Sequence, residues 1–179
     1  VRSLKRKLFQ VHYHPVYPYI FKGGKYPGES AERLMFTDYP YLLKLWEIRK
    51  EKGEGRGLRE DYLGKRLSWL MEKGEDRKTK IPCPKCLERP VELFTAKFSK
   101  DLREISVGSF YVSCYKCKHL MYLPQLYRGK AIQVFDFKFS SLKYFGNKVM
   151  REKLFNLYKE VYGLPKRLTK QRALEFFKE

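Results

Sequence analysis

Cys83-Pro84-Lys85-Cys86 and Cys114-Tyr115-Lys116-Cys117, separated by 27 residues, hold all four cysteines of this 179-residue chain. Each two-residue spacer turns the backbone tightly enough for both sulfurs of a pair to face one point, so the two pairs can surround one ion tetrahedrally. An iron–sulfur cluster, a redox pair and buried free thiols compete with structural zinc for this pattern. The spacing favours Zn2+ held by Cys83, Cys86, Cys114 and Cys117. Four thiolates complete the coordination shell and leave no place for a catalytic water, so the expected role of the metal is to stabilise. His119, two residues after Cys117, is not needed as a ligand. Lys85, Lys116 and Lys118 sit on the two knuckles, where they offset thiolate charge or reach phosphates.

Between and after the knuckles, Val91 to Phe98 and Ile105 to Val112 read as strands joined by a turn over 99–104, and the alternation of Gln133 to Phe139 predicts a third strand of the same sheet. Two knuckles separated by strand-like sequence resemble a zinc ribbon, a unit found in transcription factors, ribosomal proteins and nucleic-acid enzymes. Such a clamp supplies stability that a small sheet lacks, so replacing Cys83 or Cys117 by serine is expected to unfold the middle of the protein.

Helical patterns flank the ribbon. Ser30 is placed to N-cap a short helix through about Phe36, with Glu32 in its first turn. Asp38 caps a second helix with Pro40 in the first turn and Leu42, Leu43, Leu45, Trp46 and Ile48 as its apolar face. Lys50 to Gly57 reads as a loop. A third helix follows from about Leu58 to Lys73, with Tyr62, Leu63, Arg66, Leu67, Trp69 and Leu70 at helical spacing. The polar stretch 73–81 reads as a linker. From Ser141 the chain becomes helical again, with a helix over Lys148 to Tyr162 and a final one capped by Thr169. The expected fold is α+β in three parts: a basic aromatic arm with a helical module over 1–75, the zinc ribbon over 76–140, and a basic helical tail over 141–179.

Phe21, Gly24, Lys25, Tyr26 and Gly28, followed by a short helix and then Asp38, Pro40, Tyr41, Leu42 and Trp46, give an order of residues that resembles the small C-terminal domain of exodeoxyribonuclease X and related stand-alone proteins. The resemblance covers about residues 19–50. Lys22-Gly23 lengthens the turn, Pro27 stands where a basic residue is common, and Tyr39 separates Asp38 from Pro40. It implies a nucleic-acid-associated accessory module in which Lys25 and the glycine turn face the ligand. It implies no nuclease activity, because the acidic catalytic domain of that family has no counterpart in this chain.

The formal net charge is +19. Residues 1–28 carry +6, 29–80 +2, 81–139 +5 and 140–179 +6, so the excess lies in the arm, the ribbon and the tail. Such a field attracts polyanions through release of condensed counterions. In the arm, Arg2, Lys5, Arg6 and Lys7 precede Tyr13 and Tyr17, and cations interleaved with rings suit a single strand, although the tyrosines fit a core equally well. His12 and His14 have no further ligands beside them. Lys22, Lys25 and Tyr26 follow on the turn, and Lys166, Arg167, Lys170 and Arg172 cluster around the last helix start, where amide groups also favour phosphate. A solvated basic face competes with this reading of the tail.

Hydrophobic content of 43% and 16% aromatics exclude wholesale disorder, and nothing approaches 18 consecutive apolar residues. Val1 to Phe9 is basic without the apolar stretch of a secretory signal, and with cysteines arranged for metal a cytoplasmic location is expected. Abundant Lys and Glu beside only six Asn and Gln suggest a heat-adapted source. No catalytic residues are expected. Asp136-Phe137-Lys138 offers part of a metal-dependent nuclease motif, but no acid occurs between Cys114 and Ile132, which leaves Glu104 or Asp101 as partner at a longer spacing. The expected activity is phosphate-led, largely sequence-independent binding of DNA or RNA as an accessory factor, without a membrane. A structural subunit docked on a ribonucleoprotein, CRISPR-type or replication complex is the second reading.

Overall fold

The computed structural model describes residues 15–53, 62–98, 110–119, 131–145 and 148–179. Among the described residues, five α-helices, a 3-10 helix and one small sheet form an α+β fold: α1 (Ala31–Leu34), α2 (Tyr39–Gly53), α3 (Tyr62–Asp76), β1 (Leu93–Phe98), β2 (Tyr111–Ser113), β3 (Ala131–Asp136), the 3-10 helix (Phe139–Tyr144), α4 (Lys148–Val161) and α5 (Lys170–Lys178). Ser30 caps α1, its hydroxyl accepting from the Arg33 amide at 3.2 Å, and Thr169 caps α5 in the same way. Asp38 stands before α2, and its carbonyl accepts from Tyr41. Its carboxylate, however, turns away from the helix to Lys25 and Tyr26. Helix α2 continues to Gly53, over the first part of the expected loop, since Lys and Glu are good helix formers; 54–57 lie outside the described residues. Its apolar face is narrower than expected: Leu42 is buried, Leu43, Leu45 and Trp46 are half-buried, and Ile48 is exposed.

The strand order is β2-β1-β3, antiparallel throughout, with Leu93 opposite both Ser113 and Asp136. The third strand therefore extends the sheet as its alternation predicts. It stops at Asp136 rather than Phe139: the Phe137 amide still reaches the Glu92 carbonyl, but Lys138 folds back on Asp136 and Phe139 enters the 3-10 helix. The turn expected over 99–104 and most of the strand expected over 105–112 lie outside the described residues.

One aromatic core joins these elements. Phe94 from β1 packs on Phe135, Phe137, Phe145 and Tyr158, and Phe139 packs on Phe36, Tyr158, Tyr162 and Phe177. Burying a tyrosine leaves its hydroxyl needing a partner. Tyr158 donates to the Lys138 carbonyl at 2.7 Å and Tyr162 to the Phe137 carbonyl at 2.8 Å, which fastens the exit of β3 to α4. The stretch 77–81 is held as well: the Thr79 hydroxyl donates to the Val91 carbonyl, and the Lys80 amide to the Val161 carbonyl at 2.7 Å. Gly74 is needed in α3 for close approach, since a Cβ there would meet Phe139 at 3.0 Å.

Helix α3 also holds a buried ion pair. Glu32 and Arg66, both with fully buried side chains, meet at 3.2 Å. The Tyr19 amide donates to the same carboxylate, and Arg66 donates to the Tyr17 carbonyl. Glu32 keeps its expected place in the first turn of α1 and from there ties 17–19 and α3 to that helix. Burial pushes its carboxyl up, and the Arg66 charge and nearby amides pull it back only in part. Among the described residues, no helix is long and apolar enough to cross a membrane.

Candidate metal centre and basic surface

The first knuckle forms because the chain after Cys83 must reverse within six residues. Leu87 donates to the Cys83 carbonyl at 2.8 Å and Cys83 to the Arg89 carbonyl at 2.7 Å, and a bridge joins Pro82 to Pro90. Leu87 takes φ 58°, a left-handed conformation costly for a residue with a Cβ, and the knuckle imposes it. The second knuckle leaves β2 directly, with Cys117 donating to the Cys114 carbonyl at 3.2 Å. Two contacts fix one knuckle against the other and against the sheet. The Cys114 amide donates to the Cys83 sulfur at 3.3 Å, and Tyr115 gives its amide to Glu92 and its hydroxyl to Asp136.

All four Sγ atoms lie within 4.8 Å of one another, and those of Cys86 and Cys114 are 3.7 Å apart. A disulfide needs about 2.05 Å. Sulfurs at about 2.3 Å from a central ion in a tetrahedron lie roughly 3.8 Å apart, so the donor set fits one tetrahedral metal. Amides aim at the sulfurs as well. Burial works against the Cys83 thiolate, but the amides of Lys85, Cys114 and Cys86 outweigh it and bring the group down to about 7. Burial pushes Cys117 up to about 12, helped by the neighbouring Cys114 and Cys86 sulfurs. His119 is exposed and stands outside the quartet.

Set against known protein families, curated proteins and solved structures, the chain matches none of them. Its surface must therefore be read from its own side chains.

Arg2, Lys5, Arg6, Lys7 and Tyr13 lie outside the described residues. Lys22, Lys85, Lys118, Lys166 and Arg167 are exposed. Four of the other predicted cations have protein partners: Lys25 meets Asp38 at 2.8 Å, Lys116 meets Glu88 at 3.0 Å, Arg172 meets Glu175 at 3.5 Å, and Lys170 donates to the Gly28 carbonyl. That last bond brings the start of α5 against the glycine turn, so two basic segments far apart in sequence adjoin. The sequence reading did not single out Arg33 or Lys159; Arg33 pairs with Glu29 at 3.1 Å, next to the glycine turn. The Lys159 ammonium donates to the Lys166 carbonyl at 3.0 Å, and its pKa is lowered by burial and by the Arg33 charge. The knuckle lysines stand apart from this group. Glu179, beyond the other end of α5, pairs with Lys80 at 3.1 Å, and Lys80 leads into the first knuckle.

The glycine turn is braced from behind. Gly24 and Gly28 take φ 82° and 81°, which only glycine adopts freely, and a Cβ on Gly24 would come within 3.3 Å of the Tyr41 hydroxyl. Tyr26 is half-buried, packs on Tyr41 and shares Asp38 with Lys25. Burial would raise the Asp38 carboxyl, but Lys25, Tyr26 and the more distant Arg151 hold it below its usual value. Because its folded-state pKa lies below the unfolded one, Asp38 stabilises above about pH 4, and that contribution is lost as pH falls further. Asp38→Asn is expected to cost about 1–3 kcal/mol at pH 7, with a smaller gap to the parent at about pH 3. Urea unfolding at the two pH values measures it. The nuclease-like acid has a partner of its own, since Asp136 accepts the Tyr115 hydroxyl and thereby holds the second knuckle.

Proposed function

We propose that this chain is a zinc-bound accessory protein that holds nucleic acid through its phosphates, largely without regard to sequence. The reading is carried by the surface where the glycine turn and the start of α5 meet. Lys22, Lys25, Lys166, Arg167 and Lys170 come from two segments joined by the Lys170–Gly28 bond. The net charge of +19 supplies the long-range attraction. The resemblance of residues 19–50 to the small exodeoxyribonuclease X domain supports the same surface. The metal, in this reading, is zinc in a closed tetrathiolate site that keeps the knuckles folded and takes no part in chemistry.

A salt titration against single- and double-stranded DNA and RNA tests the reading. If the five cations each neutralise one phosphate, log affinity falls against log salt with a slope of about −4.5 for duplex and about −3.5 for single strands. The double variant Lys166→Glu, Arg167→Glu is expected to flatten the slope by about 2 without sequence preference. No binding at low salt, or binding that is flat with salt, overturns it. Metal analysis of the purified protein should find one zinc ion per chain and no visible absorption from an iron–sulfur cluster.

A further inference from the structure

We infer that Tyr17, Tyr19 and Tyr62 form a stacking platform for unpaired bases, which makes single-stranded nucleic acid the preferred ligand of the phosphate-binding surface proposed above; the inference rests on that reading. Tyr62 has the spacing of a core residue of α3, yet it is 53% exposed, and Tyr17 is 76% exposed. Both are large rings open to solvent. They are neighbours: Arg66 donates to the Tyr17 carbonyl, and its guanidinium lies 5.9 Å from the Tyr62 ring. Tyr62 stacks on half-buried Tyr19 with centroids 5.7 Å apart and 29° between the planes, so its ring is held in a fixed plane.

The platform connects to the cations. Tyr19 meets Phe21 at 5.3 Å, Phe21 meets Tyr41 at 6.2 Å, and Tyr41 meets Tyr26 at 5.1 Å. The Lys25 ammonium lies 4.9 Å from the Tyr26 centroid. A series of ring contacts thus links exposed Tyr62, through buried Phe21, to the basic glycine turn. A strand whose phosphates follow the turn can lay a base on the exposed ring faces at the far end. Bases in a duplex already stack on one another and have no free face to offer, so the exposed rings select against duplex.

The test is fluorescence anisotropy of the full chain with an oligo-dT of about 20 nucleotides and with a hairpin duplex of similar charge. The parent should bind oligo-dT more tightly. Tyr17→Ala and Tyr62→Ala should each weaken oligo-dT binding by about five- to a hundredfold while leaving hairpin affinity and the salt slope unchanged. Tyr62→Phe keeps the ring and should keep the affinity. If the alanine variants bind oligo-dT like the parent, or weaken both ligands equally, the platform is refuted while salt-dependent binding by the parent still stands. If the parent binds neither ligand in a salt-dependent way, the underlying phosphate-binding reading fails and this inference with it.

Discussion

Stripping the metal with a strong chelator, or replacing Cys83 or Cys117 by serine, is expected to unfold the two knuckles, residues 82–90 and 114–119, and to leave α4 and α5 folded. Among the described residues, Cys83, Cys114 and Cys117 with half-buried Cys86 form a cluster of their own, separate from the main core. With the ion removed, that cluster keeps a strained Leu87 and little apolar surface to hold it. Structural zinc in small zinc-finger peptides is worth about 10–16 kcal/mol of apparent binding energy at neutral pH, far more than a knuckle of this size gains from packing. The effect stops short of the whole middle of the protein, which is a narrower outcome than the cysteine spacing suggests. Phe94, Phe135 and Phe137 place the inner face of the sheet in the main core, so the sheet does not depend on the metal alone. Amide hydrogen exchange with and without chelator reads this directly. Protection lost in the knuckles and kept in α4 is the expected pattern; protection kept in both refutes a structural metal.

The second large effect is expected at Arg66. Arg66→Met removes the cation opposite a fully buried carboxylate and leaves Glu32 with the Tyr19 amide as its remaining long-range partner. Breaking a buried pair from one side costs about 3–5 kcal/mol, because the surviving charge is stranded away from water. For a chain of this length that lowers the melting temperature by roughly 6–20 °C. The double variant Glu32→Leu, Arg66→Met should recover much of the loss, since replacing both charges by apolar groups removes the desolvation cost as well. If the double variant is as unstable as the sum of the single ones, the two side chains do not act as a pair. Thermal unfolding of the four proteins completes the cycle.

How much of this could be read from the sequence depends on how local each signal is. Ser30 and Thr169 were legible as caps because the residue and its helix are adjacent. The four cysteines were legible because two-residue spacing nearly determines the sulfur geometry. Strand β3 was legible by alternation up to Asp136, but its end was not, since the break comes from Phe139 being drawn into contact with Phe36 and Phe177. Asp38 looked like a helix cap because its real partners, Lys25 and Tyr26, lie thirteen and twelve residues back across a turn. Glu32 was legible as an acid in the first turn of α1, but nothing in the order of residues points to its pairing with Arg66. Tyr62 shares the helical spacing of Leu63, Leu67 and Leu70, yet its ring lies at the surface beside Tyr19, which spacing alone does not tell. Contacts that join distant segments, such as Lys170 with Gly28, leave no local trace.

The packing of α5 onto α1 has a consequence for how the protein is made. Phe36 is covered by Phe176 and Phe177, about 140 positions later in the chain. During synthesis the N-terminal helices therefore leave the ribosome with part of their apolar face open, and they stay so until α5 emerges. Long-range closure of this kind folds late and exposes apolar surface in the meantime. Nascent chains arrested before residue 170 should thus be the species that recruit chaperones.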